Sequence, residues 1–345
     1  MTRSLAPRLL IALATTTLLL AACTSGPPPV HEPPTPSQPS PTSTGSPAPV
    51  VLKQTGPVRA PAKGVLVGAW VKPLGSLTQS SRVEAIAGLQ HDIGRKLDIV
   101  NTYRTVSQSF PTTSDYDLTR DGATLMVSWA TGDTRSITSG AQDAQIVAWA
   151  HRFASFGRPI LLRMRWEMDR PNLRASMWSG EDFVAAWDRV RKIFKEQHVT
   201  NVAWVWCPTA GGFANRSAPA FYPGDSEVDW TCVDVYSASQ LQPLSSLLQP
   251  FLTWAASHPK PIIIGEFGIA DAYDPVDRAA WLEDAVGVFR SDPQIKAVSY
   301  FDSDPDGAIA EQSFALPAGS PPMKAFATLA QTPYFNPKKR PLTHR

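Results

Sequence analysis

The sequence predicts a (β/α)8 barrel, and three observations carry that prediction. Eight short runs of mainly branched and aromatic residues recur at 64–71, 97–103, 124–129, 159–162, 201–207, 228–236, 261–267 and 295–302. Helical patterns separate them, an alternation that builds a parallel sheet rather than hairpins. The stretch that holds them, 63–330, matches the size of one barrel, about 250 residues. In this fold the working residues sit on the loops at the carboxyl ends of the strands.

The chain begins with what reads as an export leader. Arg3 and Arg8 give a basic start, and residues 9–20 an apolar core too short to span a bilayer comfortably. Leu20-Ala21-Ala22-Cys23 follows and resembles a bacterial lipoprotein signal. The resemblance implies removal of 1–22, lipid on Cys23, and an extracytoplasmic protein held to the cell membrane. Simple secretion with an incidental cysteine is the alternative. Residues 23–62 are rich in Pro, Ser and Thr and hold too little apolar surface to offset the entropy of ordering. They are expected to form an extended tether, reaching on the order of 100 Å at roughly 3.1 Å per residue.

Within the barrel segment, 64–71 is the first strand, followed by a helical pattern at 83–94. Strands at 97–103 and 124–129 lead to a helix at 143–156 and to the apolar run Pro159-Ile160-Leu161-Leu162. Ser179-Gly180-Glu181-Asp182 resembles a capping box, after which Phe183, Trp187, Val190 and Phe194 share one helical face. Strands at 201–207 and 228–236 precede a helix at 244–256. The run 261–267 is nearly unbroken in apolar residues, as suits a strand buried on both faces. Asp274 then caps a helix that has Pro275 in its first turn, and 295–302 is the eighth strand. The segment 331–345 reads as a basic tail, and no internal repeat is found.

Charge narrows the partners. With Arg3 and Arg8 of the leader set aside, the 32 basic residues fall to 30, equal to the 30 acidic ones. A neutral mature chain argues against nucleic acid or an anionic membrane surface as the main partner. The six histidines show no ligand spacing, so no metal is expected, nor is any cofactor. Cys207 and Cys232 end or follow neighbouring strands, and export favours a disulfide between them over two buried thiols. A monomer is expected.

Two glutamates stand out. Glu167 follows the fourth strand in Arg163-Met164-Arg165-Trp166-Glu167-Met168-Asp169-Arg170, and Glu266 ends the seventh in Ile264-Gly265-Glu266-Phe267-Gly268. A buried carboxylate costs several kcal/mol unless it is paired or shares a proton. Two carboxylates flanking one bond are what glycoside hydrolysis uses. Structural ion pairing is the plainer reading for Glu167. Arg163, Arg165 and Glu167 share parity, so a regular strand would point all three into the barrel, whereas a bulge would separate them. Asp98 and Asp234 are alternative partners for the arginines. Trp70, Trp129, Trp178 and Trp206 lie at or just beyond strand ends, each either core or a platform for a sugar ring.

The segments 163–169, 201–208, 221–230, 234–236 and 264–268 together resemble glycoside hydrolase family 26, a family of retaining barrel enzymes. The resemblance runs in order from about 64 to 302. It implies that Glu167 is the acid/base and Glu266 the nucleophile. Arg163 matches the family's arginine at that spacing, and Tyr236 matches a tyrosine beside the nucleophile. The family's His-Glu-Met-Asn is replaced here by Trp166-Glu167-Met168-Asp169. Trp166 and Asp169 are thus the expected determinants of which sugar fits. The implied substrate is a β-linked polysaccharide of β-mannan, β-glucan or β-1,3-xylan type, cleaved internally. The rival expectation is a non-catalytic, glycan-binding cell-wall lipoprotein on the same barrel.

Overall fold

Every residue of the runs Ile160–Met164, Val202–Trp206 and Ile262–Ile269 is buried, the condition of strands covered on both faces. In the computed structural model they belong to one closed parallel barrel of eight strands in sequential order. These are β1 (Leu66–Val71), β2 (Ile99–Thr105), β3 (Thr124–Ala130), β4 (Ile160–Met164), β5 (Val202–Trp206), β6 (Trp230–Ser237), β7 (Ile262–Ile269) and β8 (Ile295–Asp302). The structure describes residues 52–73, 75–304 and 310–342. The leader, Cys23 and most of the expected tether therefore lie outside the described residues.

Period-two alternation sorts the side chains. Leu66, Ile99, Met126, Leu161, Val205 and Ala297 fill the barrel interior, and their neighbours in sequence face the helices. The helix-facing layer is dominated by aromatic rings: Trp129, Trp149, Phe153, Phe194 and Trp204 form one contiguous stack. The main helices run Gln79–Asp92, Asp143–Ser155, Gly180–Glu196, Leu244–Ala255, Pro275–Ser291 and Pro321–Gln331. Ser179 caps the third of these by accepting from the Asp182 amide, and Asp274 caps the fifth by accepting from the Val276 amide.

Two expected boundaries move. Residues 52–62 are not all tether: Val58 and Ala60 are buried with the interior cluster, and the Trp230 indole donates to the Val58 carbonyl at 3.1 Å. This segment closes the amino-end mouth of the barrel, where an open lumen would expose apolar side chains. Nor are residues 331–342 simply a tail. The Val65 amide donates to the Tyr334 carbonyl, Arg95 donates to the Phe335 carbonyl, and Phe335 is fully buried.

Candidate active site

At the carboxyl end of the barrel the inward positions turn polar. Asn101 and Tyr103 of β2, Ser128 of β3, Arg163 of β4, and Asp234 and Tyr236 of β6 continue the apolar interior columns upward. Arg163 is fully buried at the centre. Its Nη1 donates to both oxygens of Asp234 at 2.8 Å, its Nη2 to Glu266, and its Nε to Ser128 at 2.8 Å. Burial works against its charge, but Asp234 and then Glu266 outweigh burial and raise its pKa. The guanidinium is therefore a fixed cation.

Glu266 reaches the lumen through a β-bulge. The β6–β7 register shifts between Val233 and Asp234, so Asp234 stands beside Glu266 and Gly265 is the extra residue. Ile264 and Phe267 face the helices, while Gly265 and Glu266 both face inward. A Cβ at position 265 would lie 2.4 Å from Cys232 Sγ and 2.7 Å from Asp234 Oδ1, so no side chain fits there. The bulge re-aims the glutamate, as such insertions do. Glu266 Oε1 accepts from Tyr103 at 2.5 Å and from Arg163, and Oε2 accepts from Tyr236. Burial first, and then the adjacent Glu266 charge, push both phenols well above their ordinary pKa, so they remain donors. Asn101 donates to the Tyr103 hydroxyl at 3.1 Å and accepts from Ser128, which fixes the phenol's orientation.

Glu167 is placed by a different device. Strand β4 ends at Met164, and Arg165 and Glu167 both adopt left-handed backbone, with φ of 46° and 54°. The Glu167 amide donates to the Cys207 carbonyl at 2.7 Å, tying the turn to the end of β5. This irregularity separates the three residues of equal parity. Arg163 stays in the lumen, Arg165 turns away to Ser176, and Glu167 returns over the mouth. Glu167 is 8% exposed and receives Arg170 Nη1 on Oε2 at 2.7 Å. Burial first, and then the negative charge of Glu266, raise its pKa, with Arg170 opposing them. Oxygens of Glu167, Asp234 and Glu266 all lie within 4.8 Å of one another. Such a trio suits a cation, and Arg163 already supplies one to Asp234 and Glu266.

The expected residues divide. Trp166 lies against Tyr103, with ring centroids 5.0 Å apart, and under Arg163. Trp70 meets the same tyrosine edge-on at 5.1 Å. Trp129 and Trp206 require correction. Their neighbours Ser128 and Cys207 take the inward positions, so both indoles are sealed in the helix-facing core and cannot meet a sugar. Asp169 is tied back into the protein: Oδ1 accepts from the Thr209 amide and Oδ2 from the Thr209 hydroxyl, which anchors the loop after β5. Trp178 is 45% exposed, outside the lumen. Cys207 and Cys232 are bridged inside the barrel, below Asp234. The arginine alternatives resolve too, since Asp234 takes Arg163 and Asp98 takes Arg95.

Sequence reasoning missed Tyr103, Arg170 and, as a site residue, Asp234. Parity offered a signal for two of them, because Tyr103 continues the Ile99–Asn101 column and Asp234 precedes Tyr236 by two. Arg170 has no periodic signal, lying beyond the strand.

Comparison with known proteins agrees with this architecture. No family profile matches the chain. Endoglucanase H of Acetivibrio thermocellus is 30% identical over 246 residues, covering 66% of this chain and 26% of that protein. The β-1,3-xylanase TXYA of a Vibrio species is 28% identical over 144 residues, covering 39% of this chain and 29% of that protein. The chain thus spans about a quarter to a third of the length of the curated relatives it matches. Among solved structures, a GH26 β-mannanase from Bacteroides ovatus superposes with a TM-score of 0.62 at 17% identity, covering 79% of this chain and 90% of that one. An endo-β-1,4-mannanase from Cellulomonas fimi gives 0.60 at 18% identity, covering 79% and 71%. At these identities the solved structures speak for the fold. The fold that the family 26 resemblance implies is met again in these solved structures, one of them a GH26 β-mannanase, and the sequence relatives are glycanases by name.

Proposed function

We propose that the protein is a retaining endo-β-glycanase, with Glu266 as nucleophile and Glu167 as acid/base. One observation carries the reading: oxygens of the two carboxylates lie within 4.8 Å of each other, one just beyond β4 and the other at the bulge in β7. Retaining enzymes hold the pair about 5–5.5 Å apart, whereas inverting ones need about 6.5–9.5 Å to admit a water. The environments also differ in the sense the two roles require. Glu266 accepts three hydrogen bonds, which orient it for attack on the anomeric carbon. Glu167, raised by burial, can hold the proton that the leaving oxygen needs. After the leaving group departs, Glu167 takes a proton from water as that water attacks the glycosyl ester. Tyr103, Tyr236 and Arg163 keep Glu266 in place through both steps. The relatives' names, an endoglucanase and β-1,3-xylanases, support a β-linked polysaccharide as substrate.

The test uses a dinitrophenyl β-glycoside, whose leaving group needs no proton. Glu266→Ala should lose all turnover. Glu167→Ala should lose polysaccharide cleavage yet release dinitrophenol in a burst, and azide should then give a β-glycosyl azide. An α-azide, or full polysaccharide activity in either variant, refutes the assignment. The proposal extends to location: Leu20-Ala21-Ala22-Cys23 supports lipidation at Cys23 and anchoring at the cell membrane. Unchanged lipid labelling of Cys23→Ala would refute that part.

A further inference from the structure

The near-neutral charge of the chain is the sum of two unlike ends. The amino-end mouth of the barrel is closed by two segments, 52–65 ahead of β1 and 332–342 after the helix Pro321–Gln331, and neither holds an acidic residue. Between them they carry Lys53, Arg59, Lys63, Lys338, Lys339 and Arg340. At the opposite mouth, Asp271, Asp274 and Asp277 follow β7, Asp302 ends β8 and Asp304 follows it.

Hydrogen bonds hold the basic segments on one face. The Lys53 amide donates to the Pro259 carbonyl at 2.7 Å, the Val65 amide to the Tyr334 carbonyl at 2.9 Å, and the Lys96 amide to the Arg340 carbonyl at 3.1 Å. Pro259, Val65 and Lys96 each precede a strand, which fixes all three contacts at the amino end. Lys53, Arg59, Lys63, Lys338 and Lys339 are exposed. None of the five makes an ion pair among the described residues, whereas nearby Lys96 pairs with Asp121 and Arg120 with Asp117. Five unpaired cations on one face of a near-neutral protein form a one-signed field that attracts an anionic partner.

A second feature says what that partner is. Beside Arg340 opens a cavity of about 420 Å³, lined by the paired Lys96 and Arg120 and by Val83, Ile86 and Leu118. Cations beside an apolar lining match an amphiphile, whose headgroup is charged and whose chains are not. A wall polymer of glycerol phosphate has the charge without the chains. The chain that leads back to Cys23 also joins the barrel at this face, at Leu52 and Lys53.

We propose that the amino-end face is a docking surface for an anionic phospholipid bilayer, and that it turns the mouth holding Glu167 and Glu266 away from the membrane. Lipid chains hold a protein to a bilayer without orienting it, and a basic patch is the second signal that makes the attachment stable. Each Lys or Arg near such a surface favours partition by about fivefold, within a Debye length. The acidic mouth is repelled by the same charge, which sets the direction. The inference deepens the proposed anchoring at Cys23, which lipid labelling reads separately.

The test places full-length protein in vesicles of phosphatidylglycerol or of phosphatidylcholine and reads lysine acetylation rates by mass spectrometry. In phosphatidylglycerol, Lys53, Lys63, Lys338 and Lys339 should react at least about fivefold more slowly than in phosphatidylcholine. Salt at about 0.5 M should remove the difference. Rates at Lys72 beside the carboxyl-end mouth and at Lys192 on the flank should not change. Lys63→Glu combined with Lys339→Glu should abolish the protection of Lys53 and Lys338 with Tm unchanged. Equal rates in the two vesicle types would overturn the proposal, as would equal slowing at Lys72 or Lys192. Protection by soluble poly(glycerol phosphate) that anionic vesicles do not give would overturn it too, and assign the face to a wall polymer. A lipid-free Cys23 with the footprint intact would remove the anchor and leave the docking face standing.

Discussion

Arg170 offers a direct test of the acid role proposed for Glu167, because it holds that carboxyl in the direction opposite to the one the proposed chemistry needs. Glu167 sits above the ordinary carboxylate range through burial and the Glu266 charge, and Arg170 pulls it back. Two unit charges about 4 Å apart interact by about 4 kcal/mol at an effective dielectric of 20. The Arg170 side chain is 49% exposed, so solvent screens much of that. A nearby opposite charge moves a carboxyl by about one to three pH units, and the low end applies to a half-exposed cation. We therefore expect Arg170→Gln to raise the Glu167 pKa by about one unit, equivalent to about 1.4 kcal/mol.

The sign follows from the role. A general acid must be protonated, so kcat/KM on a polysaccharide falls as pH rises through the Glu167 pKa. Raising that pKa moves the alkaline limb upward by about one pH unit, and well above both limbs the variant should be about tenfold faster than wild type. The limb measured with a dinitrophenyl glycoside should not move, because that leaving group takes no proton. An alkaline limb that stays put or moves down on the polysaccharide would refute the argument, since either Arg170 does not reach Glu167 in solution or Glu167 is not the acid.

Other expectations follow from the same geometry. Tyr103→Phe and Tyr236→Phe each remove one donor from Glu266, and a hydrogen bond to a charged group contributes about 1.5–3 kcal/mol, so each should lower kcat/KM roughly tenfold to a hundredfold with little change in Tm. Gly265→Ala would set a methyl group 2.4 Å from Cys232 Sγ and 2.9 Å from Cys207 Sγ, and should cost about 1–3 kcal/mol in denaturant unfolding together with most of the activity. Replacing Cys207 and Cys232 by alanine opens a loop of 25 residues and should cost about 3 kcal/mol on the chain-entropy account, visible as a lower Tm. Arg163→Met would leave Asp234 and Glu266 buried without their cation, and should destabilise by about 3–5 kcal/mol in equilibrium unfolding.

The strands were legible because burial on both faces writes itself as unbroken apolar runs, and Ile295–Asp302 was read with its bounds intact. The short helices Thr113–Leu118, Thr134–Thr138 and Ala210–Ala214 were not read, because five or six residues span too few turns to show a period. Both glutamates were legible as acids at the ends of apolar strands, yet their surroundings were not. Tyr103 meets Glu266 across 163 positions of sequence, and only closure of the barrel brings them together. Trp129 and Trp206 mislead for an instructive reason. Both lie at strand ends, as a sugar platform would, but the side of the sheet is decided by parity, and both are out of step with the inward columns.

The two backbone irregularities then explain why parity alone could not have located the proposed catalytic pair. Counting in twos from Ile263 makes Gly265 inward and Glu266 outward, so a regular β7 would bury the Glu266 charge among the rings of the helix layer. Counting in twos from Leu161 makes Arg163, Arg165 and Glu167 all inward, so a regular β4 would add a second guanidinium to the lumen and hold Glu167 ionised. The bulge at Gly265 and the left-handed turn through Arg165 and Glu167 undo both outcomes. Gly265 was the visible trace of the first, being the position in that strand where any side chain would strike the disulfide. The second left no comparable trace, since neither arginine nor glutamate favours positive φ. It is held instead by the bond from the Glu167 amide to the Cys207 carbonyl. Cys207 therefore does two things, bridging to Cys232 beneath Asp234 and anchoring the turn that carries Glu167. The supports of Glu266 and of Glu167 are thereby joined at one residue.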